Sequence, residues 1–186
     1  MILKGKFVTL RPIEAEDLEF IRTMMNDPWF ERMIIGWSYP ISKKDQEAWY
    51  ASFKNNDSQI RFIIETEADG VVGFTGLKNI DWKNGSADGG GMRVAKKDNM
   101  SKGIATDSYM ALLRYAFYEL RLNRINGSVF KDNPASIRAT EKVGFKQEGV
   151  QREAVYKDGK YHDIILLGVL KSDYDKIVET TKYWEK

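Results

Sequence analysis

The residues of this chain best suited to chemistry begin with two small ones. In Met100-Ser101-Lys102-Gly103-Ile104-Ala105-Thr106 a glycine and an alanine stand two positions apart at the head of a long amphipathic stretch. Where such a stretch begins as a helix, the backbone N–H groups of its first turn lack intrahelical partners, and the helix dipole adds about half a positive charge. Gly103 and Ala105 let a bulky anion approach that backbone, and Lys96, Lys97 and Lys102 supply local positive charge. The chemistry this suits is the holding of a phosphate. An ordinary helix start with small residues chosen for packing has the same composition. Neither the GxxxxGK[ST] loop nor the GxGxxG fingerprint is present.

Other reactive types are few. With no cysteine and one histidine, disulfides, thiolate metal sites, cysteine nucleophiles and multi-histidine metal sites are excluded, so no metal is expected. The histidine, His162, lies in Tyr161-His162-Asp163 on an alternating strand, where a structural role competes with that of a general base. Asn133 followed by Pro134 suits a helix cap, and Ser136 falls in the first turn of that helix. Asp88 and Glu153 are the carboxylates considered as a general base, each with ion pairing or solvation as the alternative. Trp29, Trp37, Tyr39, Trp49 and Tyr50 could line a pocket or belong to the core.

The elements that must position these residues follow from periodicity. At 186 residues, 42% hydrophobic and 30% charged, the chain suits a single domain, 1–186, with one core. Its 29 basic and 27 acidic residues leave a net charge of +2, which argues against a nucleic-acid surface. Nothing resembles a signal peptide or the ~20 apolar residues of a membrane span, so a cytoplasmic location is expected and no membrane partner. Residues 7–11 form a short strand and 14–25 a helix, followed by an irregular aromatic segment to residue 39. Ser42 caps a second helix, with Asp45 three residues on. Strands follow at 59–65, 71–80 and 86–95, the last interrupted by Gly89-Gly90-Gly91, which marks a bulge or a close approach. The longest helix runs from Gly103 to Leu120. A strand at 124–130 leads to the Asn133 helix, closed by Gly144. A hairpin turning at Asp158-Gly159 and a terminal helix at 172–180 complete a mixed sheet covered by helices.

This order resembles the GNAT family of N-acetyltransferases, whose acetyl-CoA motif is [Gln/Arg]-x-x-Gly-x-[Gly/Ala] at a helix start. Met100 to Ala105 matches its two small positions and departs at the first, where methionine replaces glutamine or arginine. Asn133-Pro134-Ala135-Ser136-Ile137-Arg138-Ala139-Thr140-Glu141-Lys142-Val143-Gly144-Phe145 is similar to the family's second block. The segment from Arg152 to Asp163 looks like the branch containing ribosomal-protein N-terminal acetyltransferases, with spermidine and amino-sugar acetyltransferases as relatives. The resemblance implies an α+β (mixed α/β) fold whose largely antiparallel sheet of about seven strands is flanked by helices.

It also implies the reaction, direct attack of a neutral amine on the thioester of acetyl-CoA. The acceptor could be a protein N-terminal α-amine. The alternatives are a small amine (amino sugar, polyamine or antibiotic) or a CoA-binding module without activity. The strand around Gly89 to Val94 would splay from the strand beginning at Arg124, so that the backbone of Met92 and Val94 faces the cofactor. Residues 100–105 (Met100, Ser101, Lys102, Gly103, Ile104 and Ala105) would bind its phosphates and Asn133 its pantetheine arm. Many family members protonate the leaving thiolate with a tyrosine where this chain has Thr140, and the ribosomal-type branch instead points to Ser136. Glu153 would face the acceptor. An α-amine of pKa ~7.8 is roughly one-third neutral at pH 7.5, whereas a lysine amine at ~10.4 must lose about 4 kcal/mol to react. Only Asp27, Glu31, Asp45 and Glu47 lie where a polyamine would call for several carboxylates. A monomer and a homodimer both stay open.

Overall fold

The computed structural model describes residues 1–36, 39–53, 56–89, 91–95 and 102–185. Trp37, Gly90, Lys96, Lys97, Met100 and Ser101 lie outside the described residues.

Among the described residues, a largely antiparallel sheet of nine strands carries helices on both faces. Its strands are β1 (Leu3–Lys4), β2 (Val8–Arg11), β3 (Ile60–Thr66), β4 (Gly70–Asp81), β5 (Ser86–Gly89), β6 (Arg93–Val94), β7 (Arg124–Phe130), β8 (Lys146–Lys157) and β9 (Lys160–Leu170). They lie in the order β1-β2-β3-β4-β5-β7-β9-β8, with β6 attached to β4. Beyond the expected seven strands lies β1, two residues and too short for alternation to reveal, while the strand expected at 86–95 divides at its glycines into β5 and β6. The helices are α1 (Leu18–Met25), α2 (Pro28–Met33), α3 (Lys43–Ala51), α4 (Ile104–Arg114), α5 (Pro134–Glu141) and α6 (Lys171–Thr181).

Period-2 alternation along β3 divides the core. Phe62 and Ile64 pack with Met110, Leu113 and Phe117 of the α4 segment, while Ile63 joins Ile21, Met24 and Phe30 on the opposite face. Local chemistry sets the helix ends. Ser42 and Asp45 form a capping box at α3, with Ser42 Oγ accepting from the Asp45 N–H at 3.2 Å. Asn133 Oδ1 accepts from the Ser136 N–H at 3.1 Å, with Pro134 in the first position of α5. Within the segment expected to be irregular, α2 forms because Asp27 Oδ1 accepts from the Trp29 N–H at 2.8 Å and Pro28 begins the helix. The long helix leaves α geometry at its end, where residues 115–119 widen into a π turn.

The sheet is split at its centre. β5 pairs with β7 in parallel only from Ser86↔Arg124 to Asp88↔Asn126. After Gly89 the chain turns away, and β6 pairs with β4 instead, Gly73 opposite Val94 and Phe74 opposite Arg93. A Cβ at Gly73 would stand 2.0 Å from the Arg93 carbonyl oxygen, so glycine permits that pairing. Beyond Asn126, β7 pairs among the described residues with β9 alone, from Gly127↔Leu167 to Phe130↔Ile164. An opening is left between β6 and β7.

Candidate active site

A cleft of about 960 Å³ runs through this opening. One end is bounded by β6, the start of α4, β7 and α5, and the other by α1, α2, α3 and the inner face of β3 and β4. Met92, Val94, Gly103, Ile104, Ala105, Asn133 and Ser136 all line it, so residues from segments far apart in sequence meet around one cavity.

At the first end, Gly103 occupies the cap position of α4 with φ +81°, in the left-handed region that favours glycine. No side chain caps this helix among the described residues. Asp107, in the next turn, is committed elsewhere. Its carboxylate is 1% exposed and accepts from the backbone N–H groups of Lys6, Phe7 and Val8 at 2.8–2.9 Å and from the Tyr183 hydroxyl at 2.7 Å. This pins the N-terminal strands beneath the helix that borders the cleft. Lys102 does not line the cleft. Its Nζ lies 3.2 Å from Asp69 Oδ2, so its charge is directed at the turn before β4.

Two hydroxyls on α5 differ in availability. Thr140, 3% exposed, donates its hydroxyl to the backbone carbonyls of Ser136 and Ile137, at 3.1 and 2.9 Å. Ser136 lines the cleft, and its hydroxyl makes no hydrogen bond among the described residues. Asn133 both caps α5 and borders the cleft.

The carboxylates considered as bases lie elsewhere. Asp88 accepts from Asn79 Nδ2 at 2.8 Å and Asn126 Nδ2 at 3.1 Å, tying β4, β5 and β7 together at the apex of the split. Glu153 is not brought to the cleft. It occupies a bulge in β8 at φ +51°, its N–H donating to Asp163 Oδ1 at 3.0 Å, beside a separate depression lined by Arg152 and Asp163. The bulge shifts the register between Gln151 and Val155 and so changes which face the intervening residues occupy. His162 has Nδ1 3.1 Å from Asp132 Oδ2 and Nε2 3.2 Å from the Lys157 carbonyl, tying the loop before α5 to the hairpin. Both ring nitrogens serve structure.

Trp29, Tyr39 and Trp49 line the second end, with Phe74 edge-on to Trp49 at 6.0 Å. Tyr50 instead packs on Phe53, at 6.2 Å between ring centroids. Two cleft residues that sequence reasoning missed are Arg61 on β3 and Arg93 on β6. Burial, and then the neighbouring charge of Arg93, pushes the Arg61 guanidinium down to about 10, and burial lowers Arg93 as well. Arg61 stays cationic at neutral pH. An arginine inside the apolar run Ile60-Arg61-Phe62-Ile63-Ile64 was the available signal.

A family model described as an acetyltransferase (GNAT) domain matches residues 8–146. The chain is 29% identical over 171 residues to an uncharacterized prophage-derived N-acetyltransferase of Bacillus subtilis strain 168, covering 92% of this chain and 94% of that protein. It is 28% identical over 173 residues to the spermidine N(1)-acetyltransferase of Vibrio cholerae, covering 90% and 95%. The fold superposes on the crystal structure of the Vibrio cholerae spermidine N-acetyltransferase in complex with CoA and spermine with a TM-score of 0.83, at 26% identity, over 91% of this chain and 99% of that one.

Proposed function

The chain belongs to the GNAT acetyltransferase family and is an N-acetyltransferase acting on an amine; on that premise we propose that it moves the acetyl group of acetyl-CoA directly to the primary amine of a small molecule held at the aromatic end of the cleft. The observation that carries this reading is the continuity of the cleft, from the uncapped start of α4, past the split between β6 and β7, to Trp29 and Trp49. The similarity to spermidine acetyltransferases over nine-tenths of the chain supports a small-amine acceptor.

The residues present suit the cofactor. The first-turn N–H groups of α4, with Gly103 and Ala105 beside them, would hold its phosphates. The backbone of Met92 and Val94 would lie along the pantetheine arm, with Asn133 across from it. Acetyl-CoA supplies an activated thioester; the chain's own residues orient the amine, exclude water and manage the proton. Ser136 would offer its hydroxyl to the departing sulfur, as hydrogen-bond donor or through water. An alkyl hydroxyl is a weak acid, so the gain from Ser136 is charge stabilisation more than proton transfer.

No carboxylate base is required of this cleft. Among the described residues its charged lining is cationic at Arg61, Lys78, Arg93, Arg138 and Lys142 and acidic only at Asp45. Positive surroundings disfavour an ammonium and favour the neutral amine that attacks. Thiol release from acetyl-CoA, measured against small primary amines, polyamines and a short peptide with a free α-amine, tests the proposal. Turnover on small amines above that on the peptide is expected. A preference for the peptide would move the acceptor to a protein N-terminus, and CoA binding without turnover on any amine would leave a binding module.

A further inference from the structure

The acceptor end of the cleft carries a charge pattern unlike that needed for a polycation. Arg61 enters it from β3, and Arg93 reaches it from β6 at the opposite border, its guanidinium carbon 5.3 Å from the Phe74 ring centroid and close enough for its charge to bear on Arg61; Lys78 also lines the cleft. The one acidic residue among the described lining residues, Asp45, is held in the α3 cap, where its Oδ2 accepts the Ser42 hydroxyl at 2.6 Å and the Ser42 N–H at 3.1 Å. Glu31, on the adjoining helix, accepts instead from the buried Lys157 ammonium at 2.7 Å. A second observation is independent of charge. Gln46 lines the cleft at 4% exposure, and its Nε2 has no hydrogen-bond partner among the described residues. A buried amide donor left without an acceptor is destabilising, and a ligand that accepts from it recovers that loss.

We propose that the acceptor bears a carboxylate in addition to its amine, and that this carboxylate seats against Arg61, Arg93 and the Gln46 amide while the apolar body of the molecule packs on Trp29 and Trp49. The inference rests on the amine-acetylating reading above and narrows it to amino-carboxylates with an aromatic or aliphatic spacer. The planar fork of a guanidinium matches a carboxylate in two parallel hydrogen bonds, an arrangement that an ammonium or a neutral amide does not reproduce. The same cations repel the second and third charges of a polyamine. The selectivity for carboxylate and the rejection of polycations thus share one origin.

Two measurements on the full chain test it. In the first, phenylacetate, 3-phenylpropionate, their amides, and spermidine are titrated against tryptophan fluorescence with CoA present, since Trp29 and Trp49 line the cleft. The carboxylates should bind roughly tenfold to a hundredfold more tightly than the amides, as expected for loss of a charge-assisted pair. Arg61→Gln should remove that preference. Gln46→Leu, which replaces the unsatisfied amide by an apolar group of similar size, should weaken carboxylate binding several-fold in a protein that melts no lower than wild type. In the second, thiol release is compared for aminomethylbenzoates and ω-amino acids of increasing length against the matching amides. A carboxylate preferred at any length supports the inference. Amides or spermidine preferred throughout would overturn it, as would titrations in which carboxylates bind no better than their amides. Failure to bind CoA would instead sink the acetyltransferase reading, and the fluorescence titration repeated without CoA would still decide the matter of the carboxylate.

Discussion

At the scale of single residues, the site is defined by the side chains that remain available after structure has used the rest. The Thr140 hydroxyl is tied to its own helix, and His162 and Asp88 are tied between elements. Ser136 remains. Ser136→Ala is expected to lower kcat roughly a hundredfold while leaving the CoA dissociation constant within a few-fold of wild type. Initial rates and a CoA titration would check this, and unchanged kcat would remove Ser136 from the reaction. Burial holds the Arg61 guanidinium below its ordinary value, so folding opposes its charge. Replacing it by methionine should therefore leave the melting temperature unchanged or raised while impairing turnover, which calorimetry beside kinetics would reveal. Asn133 and Ser136 were legible in sequence because helix starts obey short-range rules. Glu153 was misplaced and Arg61 overlooked for the opposite reason: a bulge and the facing of a strand are settled by pairing with distant residues.

Among elements, the start of α4 and the strands beneath it form one unit. Gly103 has room for a larger side chain, the nearest atom to an added Cβ being Phe7 Cζ at 3.5 Å, but its backbone does not. Gly103→Val should cost about 1–2 kcal/mol of stability from left-handed strain and weaken CoA binding as well. Paired CoA titration and urea unfolding would separate the two effects, and full affinity in a destabilised protein would count against the anion loop. Asp107→Ala strands three backbone donors, buried at Val8 and partly buried at Lys6 and Phe7, and the Tyr183 hydroxyl, so a loss of about 2–3 kcal/mol is expected in urea unfolding. The helix at residue 104, the strand at 124 and the cap at 133 could be read from local patterns. Helix α2 could have been, since Asp27-Pro28 is a cap followed by a first-turn proline, but the surrounding tryptophans and phenylalanine obscured its period. The pairing of β6 with β4 through Gly73 had no local signature beyond the glycines.

For the whole molecule, the split sheet depends on junctions that acid should loosen. Burial alone would raise the Asp17 carboxyl, but hydrogen bonds from Arg11 and the Glu14 N–H outweigh it and hold the group below its ordinary value. At the other side of the sheet, the Lys146 ammonium lowers Asp173 in the same direction. Acids whose folded pKa is depressed stabilise the fold above their unfolded value near ~3.9 and lose that contribution as pH falls through the folded one. Urea midpoints should therefore hold steady from pH 7 to about pH 5 and drop below about pH 4, and Asp17→Asn should flatten the drop. Equal midpoints at pH 7 and pH 3 would contradict this. The central claim is that the opening between β6 and β7 brings an acetyl thioester to an amine. Its most direct test is mass spectrometry of the products after incubation with acetyl-CoA and an amine. The account predicts one acetyl group on the acceptor nitrogen for each CoA thiol released, with none retained on the protein. Thiol released without N-acetylated product, or a stable acetyl-protein formed in place of it, would contradict the account.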